Sequence, residues 1–235
     1  MGDREARTQA AASRRPARPD GTSVIVNRVL QSSLFHVGTS GWSYPSWRPA
    51  FYPSDTDPKD FLSFYSARFD TVELNTTGYR LPAEEQFARW AEQTPPGFRF
   101  AVKLPVTRLE RVGTFVERVR ALGDRLGPLR VTIQSGRDDG LLAFLLGSLD
   151  PELEIAFDFR HPSWLDADVP VRVNDFEAGP FRYIRLREPP YSEDDLRRLA
   201  ARLRPPAYVF FRHEDAPTAP AYAERLRAFV PASSG

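Results

Sequence analysis

The sequence predicts one α/β barrel of the TIM-like (β/α)8 kind, with its fifth and sixth helices reduced or missing. Three observations carry this. Eight short strand-like runs succeed one another along the chain. Amphipathic helical stretches lie between most of them. The length of 235 residues suits a single barrel, a fold that commonly takes about 200–250 residues.

The strand runs are Phe35–Thr39, Thr71–Asn75, Phe98–Leu104, Arg130–Gln134, Leu153–Arg160, Val171–Asn174, Phe181–Arg187 and Ala207–His213. The helical runs are Pro58–Phe69, Ala83–Gln93, Gly113–Leu126, Asp138–Leu149, Ser192–Leu203 and Ala219–Phe229. Pro58 sits in a first turn, and Ser192 with Asp195 forms the pattern of a capping box. Strands alternating with helices argue for a parallel sheet that closes on itself. Between Arg160 and Phe181 there is room for the short sixth strand and little else. A full crossover needs roughly a dozen residues, so the wall should be thin there. Residues 1–33 read as a disordered N-terminal tail, rich in Arg, Ala and Pro over its first 22 positions, and residues 34–231 as the barrel domain.

Composition narrows the function classes. The chain has no cysteine, which excludes disulfides, thiolate metal sites and a cysteine nucleophile. No apolar run approaches the roughly 20 residues that cross a bilayer, and the N-terminus lacks an apolar signal core. A cytoplasmic protein without membrane association is expected. The net charge of +1 gives no global pull on nucleic acid. Arginine supplies nearly all the cations, and Lys59 and Lys103 are the only lysines.

Strand alternation gives the sharpest expectation. Thr71, Glu73 and Asn75 share one face of the second strand, with Val72 and Leu74 on the other. Lys103, Gln134, Asp158, Arg160 and Arg185 occupy the equivalent polar faces of later strands. The outer face of a barrel packs on helices and must be apolar, so this polar set should point into the lumen. Glu73 and Asp158 bring two negative charges; Lys103, Arg160 and Arg185 bring three positive ones, with Arg187 as a further candidate. A net-positive pocket suits a carboxylate or phosphate. The alternative is a self-satisfied ion-pair network that serves only the barrel.

Several motifs follow in order. Val37-Gly38-Thr39-Ser40-Gly41-Trp42-Ser43-Tyr44-Pro45-Ser46-Trp47 trails the first strand, with Phe51-Tyr52-Pro53 beyond. Val72-Glu73-Leu74-Asn75 leads into Tyr79-Arg80-Leu81-Pro82. Later come the stretch from Trp90 to Lys103, Phe159-Arg160-His161-Pro162-Ser163-Trp164, Tyr183-Ile184-Arg185-Leu186, and Phe210-Phe211-Arg212-His213-Glu214-Asp215. As a set, from about Phe35 to Phe229, these resemble the YecE-like family, domain of unknown function 72. The resemblance implies a TIM-barrel-like fold and no established activity. The chain departs from that family's pattern in the largely deleted fifth helix and in four local places. Asp158 stands where a Glu is usual, Thr107-Arg108 lacks the expected His, Gln134-Ser135-Gly136 replaces a proline-rich turn, and Leu186-Arg187-Glu188 lacks another His.

The candidate catalytic residues are Glu73, Lys103 and Asp158, placed where barrels keep their chemistry. Trp42, Asn75, Tyr79, Gln134, Arg160, Trp164, Arg185 and His213 are the candidate substrate contacts. No cofactor is expected. No metal is expected either, since His36, His161 and His213 are the only histidines and His36 should face the opposite end of the barrel. The leading function is an enzyme acting on a small anionic, sugar-like or phosphorylated substrate by acid-base chemistry in the barrel mouth. The alternatives are a nucleic-acid binding or processing protein, which the net charge disfavours, and a non-catalytic ligand-binding or degenerate copy. A small anionic ligand is the first partner expected, and a second copy of the chain against the thin wall the next.

Overall fold

The computed structural model describes residues 35–75, 81–106, 109–213 and 216–231. Seven parallel strands carry the fold: β1 (Phe35–Ser40), β2 (Thr71–Leu74), β3 (Arg99–Pro105), β4 (Leu126–Ile133), β5 (Ile155–Phe159), β6 (Arg182–Leu186) and β7 (Ala207–Phe211). Their order around the sheet is β5-β4-β3-β2-β1-β7-β6. Six helices cover the outside: α1 (Phe61–Ser66), α2 (Glu84–Glu92), α3 (Val112–Val119), α4 (Asp139–Ser148), α5 (Glu193–Arg202) and α6 (Thr218–Arg227). The expected tail 1–33 lies outside the described residues.

Local chemistry sets these helices. The Asp57 side chain accepts from the Lys59 amide ahead of a 3-10 turn that leads into α1, and Asp138 caps α4 by accepting from the Leu141 amide. Ser192 and Asp195 form the reciprocal capping box at α5 that the sequence suggested. Each amphipathic helix buries one stripe: Phe87 in α2, Val112, Phe115 and Val119 in α3, and Ala219, Ala223 and Leu226 in α6. These meet Val72, Leu74, Phe100, Val102, Val131 and Ile133 of the strands, so the apolar face of each strand does point outward to the helices.

The sixth predicted strand is a correction. Val171–Asn174 makes a single parallel bridge, Phe157 to Arg172. The Phe157 amide donates to the Val171 carbonyl at 2.9 Å, and the Val173 amide returns the bond to Phe157 at 2.9 Å. The Asn174 amide then donates to the Tyr183 carbonyl at 2.9 Å. This short segment closes the gap between β5 and β6 and yields a nearly closed barrel. It cannot extend because Pro170 lacks a donor and Asn174 turns at φ 65°. Asp175 then accepts from the amides of Glu177 and Ala178. From Arg160 to Phe181 the only helical piece is the 3-10 turn Pro162–Trp164, as the spacing required, and Leu165 beside it is 84% exposed.

The bottom of the barrel is plugged. His36 is buried, stacks on Tyr208 at 4.7 Å, and pairs through Nδ1 with Asp70 at 3.0 Å. The Tyr208 hydroxyl donates to Glu154 at 3.0 Å. Above this plug Ala101, Ala156, Phe181, Tyr183 and Phe210 fill the middle of the lumen. The two alanines leave width for long side chains in the layer above.

Gly38 marks a tight point between β1 and β2. There the Tyr65 hydroxyl accepts from the Thr39 amide and donates to the Thr71 carbonyl, standing in for a ladder bond. A Cβ on Gly38 would lie 2.1 Å from the Thr71 carbonyl oxygen. We expect Gly38→Ala to destabilise the fold by about 1–3 kcal/mol or more in urea titration. Gly113→Ala in α3, where a Cβ meets nothing within 4 Å, should instead be neutral or stabilising by roughly 0.4–1 kcal/mol. Equal midpoints for the two variants would contradict the packing argument.

Candidate functional site

At the C-terminal end of the strands the predicted polar side chains meet. Glu73 of β2 is fully buried and Asp158 of β5 is nearly so. Between them lies Arg130 of β4, also buried. Its Nε donates to Glu73 Oε1 at 2.7 Å, its Nη1 to Asp158 Oδ2 at 2.7 Å and to Thr132 Oγ1 at 2.6 Å, and its Nη2 to Asn75 Oδ1 at 2.6 Å. Arg130 lies beside Ala156 and Lys103 in the strand register, and the alanine gives its side chain room.

Glu73 is saturated. Oε1 also accepts from the Tyr183 hydroxyl at 2.8 Å. Oε2 accepts from Ser40 Oγ at 2.6 Å, Asn75 Nδ2 at 3.0 Å, and Arg185 Nη2 and Nε at 2.8 and 3.1 Å. Burial alone would push this carboxyl up. Arg130 and Arg185, with the hydroxyls of Ser40 and Tyr183, hold it far below the usual carboxylate range. The Tyr183 phenol is pushed well up by burial and by Glu73. Asp158 takes Arg130 and Arg160 on the same oxygen, Oδ2, at 2.7 and 2.6 Å, with Arg185 at 3.8 Å.

The two carboxylates are outnumbered. Arg130, Arg160 and Arg185 contact them directly, and half-buried Lys103 adds another cation nearby. Burial, then Arg130 and Arg185, lowers the Lys103 pKa from its ordinary value, and Glu73 and Asp158 only partly oppose this. The excess continues outward. A cavity of about 550 Å³ opens at the mouth between Arg160, Asn174, Arg185, Arg187, Glu188 and Arg212. Burial and the neighbouring Arg160 and Arg185 lower the pKa of Arg187. A second cavity, of about 430 Å³, adjoins across the Glu73–Arg185 pair and is walled by Trp42, Tyr44, Trp90 and Asn75.

The structure therefore brings together Glu73, Asn75, Lys103, Asp158, Arg160 and Arg185. Trp42 lines the second cavity. His213 is exposed and stacks on Tyr44 at 4.4 Å on the rim. Two other expected contacts lie apart from this cluster. Gln134 lies just past β4, exposed to solvent, and no hydrogen bond among the described residues ties it to the cluster. Trp164 is fully buried against Phe159 at 4.8 Å, its indole N–H donating to the Ser135 carbonyl, so it braces the loop from within. Tyr79 lies outside the described residues, as do Thr107, Arg108, Glu214 and Asp215. Sequence reasoning did not single out Arg130, Tyr183 or Ser40. Arg130 shares its face with Thr132, two residues on, and that spacing was the signal. Among the described residues no three His, Cys, Asp or Glu side chains cluster as a metal site would need.

Comparison with known proteins fits this architecture. Residues 36–178 match the profile of the family described as Protein of unknown function DUF72. UPF0759 protein YecE of Escherichia coli (strain K12) is 32% identical over 143 residues, which are 56% of this chain and 50% of that protein. UPF0759 protein YunF of Bacillus subtilis (strain 168) is 30% identical over 70 residues, 30% of this chain and 24% of that one. The chain thus spans half or less of the length of these curated relatives. In fold it is similar to a DUF72 family protein from Thermotoga maritima MSB8, with a TM-score of 0.61 and 23% identity over 83% of this chain and 97% of the other. A DUF72 family protein from Enterococcus faecalis V583 gives 0.66 and 16% over 83% and 95%.

Two outcomes follow from the cluster. Glu73→Gln leaves buried Arg130 under-compensated and should cost about 3–5 kcal/mol in chemical denaturation. The folded Glu73 pKa lies below its ordinary 4.5, so its contribution is full above that pH and is lost as pH falls toward the folded value. The variant should accordingly show a flatter acid limb in its stability profile. For Lys103 the sign reverses: a lowered folded pKa disfavours the ammonium, a penalty that vanishes as pH rises past the ordinary lysine value. Acylation followed by peptide mass mapping should give Lys103 a titration midpoint below 10.5, and a midpoint above it would contradict the electrostatics.

Proposed function

The chain belongs to the DUF72 family, and we propose, from the geometry of the mouth, that it binds a small anionic ligand and acts on it by acid-base chemistry at the C-terminal end of the barrel. The observation that carries this reading is the surplus of guanidinium groups around the 550 Å³ cavity, where Arg187 and Arg212 join Arg160 and Arg185, which already hold Asp158 and Glu73. Arg160, Arg185, Arg187 and Arg212 face one another with Glu188 as the acidic residue of that wall. Such crowding raises the free energy of the empty site, and a phosphate or carboxylate relieves it through charge-assisted, two-pronged hydrogen bonds. A cavity of this size accommodates a metabolite-sized molecule.

Glu73 takes a positioning role in this reading. With both oxygens occupied and its charge locked in place, it sets Arg130 and Arg185 and does not carry protons. Lys103, whose pKa is lowered by burial and by Arg130 and Arg185, takes the part of the base beside this layer, and Asp158 orients Arg160 toward the ligand. We read the barrel as a (β/α)8 fold whose sixth unit has shrunk to the 171–174 bridge, which thins the wall next to the cationic cavity. The reading of a degenerate copy accounts for the paired carboxylates but not for the open cationic cavity beside them.

Inorganic phosphate should raise the melting temperature of the protein, and the rise should fade as sodium chloride screens the arginines. Arg187→Ala and Arg212→Ala should each weaken phosphate binding about ten- to a hundredfold, from about 1.5–3 kcal/mol per charged hydrogen bond, while leaving the unliganded fold as stable as before or more so. Calorimetric titration checks both, and a protein indifferent to phosphate, pyrophosphate and carboxylates alike would refute the anion site.

A further inference from the structure

The second cavity has a different chemistry from the first. Its volume is about 430 Å³ and its walls are aromatic and amide-bearing, not cationic. Trp42 and Trp90 meet edge to face at 5.4 Å with planes at 90°, which forms a right-angled corner. Both indoles are partly exposed, whereas Trp47 and Trp164 are fully buried. Gln86, Trp90 and Gln93 all line the cavity, at helical spacings of four and three that put them on one side of α2 and its C-terminal cap. Phe87, buried in the core, packs edge to face on Trp90 at 5.5 Å and fixes that flank of the helix. Two amides therefore flank one indole; the Gln86 oxygen takes a bond from Arg89 at 2.9 Å, which leaves its NH2 group and the Gln93 amide for a ligand. The third polar wall is Asn75, held rigid between Glu73 and Arg130.

The corner is preformed. Gly41 turns the chain at φ 90° ahead of Trp42, and a Cβ there would sit 2.5 Å from the Tyr44 hydroxyl oxygen. That hydroxyl donates to the Ser40 carbonyl at 2.8 Å, and the Tyr52 hydroxyl donates to the Trp42 carbonyl. Lys59 sits on the rim with its side chain 74% exposed, and the Glu73 charge is already matched from within the barrel. The lining inside the rim thus offers apolar flat surface and neutral hydrogen-bonding groups.

We infer that this cavity is a subsite for a polyhydroxylated ring, so that the ligand of the barrel mouth is a sugar phosphate or sugar acid. A pyranose or furanose ring has one face of C–H groups, which lies against an indole, and an edge of hydroxyls, which suits amides that both donate and accept. An aromatic base would be less well served, because its edge presents few groups and the perpendicular indole blocks a second stacking surface. The anionic end then reaches the arginine cavity, since Glu73 lines the ring cavity, Arg185 lines the arginine cavity, and the two side chains are paired at 2.8 Å. This inference rests on the anion-site reading for the charged end and on the second cavity alone for the ring.

The test uses the full chain and tryptophan fluorescence quenched by acrylamide. Of the four tryptophans Trp47 and Trp164 are fully buried, so quenching reports mainly on Trp42 and Trp90. The probes are inorganic phosphate, a panel of pentose and hexose phosphates, the same sugars without phosphate, and phenyl phosphate. At least one sugar phosphate should shield the tryptophans and bind ten times or more tighter than inorganic phosphate, which should not shield them. Gln93→Leu and Gln86→Leu, both on the cavity side of α2 and outside the buried core, should remove most of that gain and leave the affinity for inorganic phosphate unchanged. If inorganic phosphate binds but no sugar phosphate shields or gains affinity, the ring subsite is wrong and the anion site stands. If free sugars shield while no anion binds, the ring subsite stands and the anion site is wrong. Shielding by phenyl phosphate without any by sugars overturns the choice of ring.

Discussion

Everything at the mouth of this barrel depends on one carboxylate. Glu73 is buried, charged and hydrogen-bonded by five side chains drawn from β1, the end of β2, β4 and β6. An isolated ion so placed would be prohibitively unfavourable, and each of its partners would be strained without it. The set is therefore stable only when complete, which fixes the register of these strands against slippage. A one-residue shift in β2 would turn Glu73 outward among the helices and strand two guanidinium groups inside.

This arrangement separates two jobs that the sequence alone had assigned to the same residues. The deep layer, Glu73 with Arg130 and Tyr183, is a rigid foundation whose charges are consumed. The upper layer, Arg160, Arg185, Arg187 and Arg212 on one side and Trp42 and Trp90 on the other, keeps surface available. Arg185 belongs to both, with its guanidinium on Glu73 and its side chain on the cavity wall. Cationic and aromatic regions thus stand on either side of one ion pair.

Much of this was legible in the sequence because β-strand alternation is a strict rule. Thr71, Glu73 and Asn75 had to share a face, and so did Asp158 and Arg160, once their apolar neighbours were given to the helices. The starts of α1 and α5 followed from Pro58 and from the Ser192–Asp195 pair. Arg130 was missed because it begins the apolar-looking run of β4, where a terminal Arg reads as a solvent-facing cap. β4 starts four residues earlier than expected, at Leu126, which places Arg130 inside the sheet. The inward direction of Trp164 was not legible, because a motif records that a side chain is present and not which way it points. Val171–Asn174 has the composition of a strand, but the flanking Pro170 and the left-handed turn at Asn174 cut it to one bridge, an effect of backbone geometry that side-chain pattern does not encode.

The plug of His36 and Tyr208 at the foot of the barrel also governs traffic. With the foot stoppered by His36 and Tyr208 and the midsection filled by Tyr183 and Phe210, the described residues leave no passage along the barrel axis, so a guest of the upper chamber is confined to the C-terminal end of the strands.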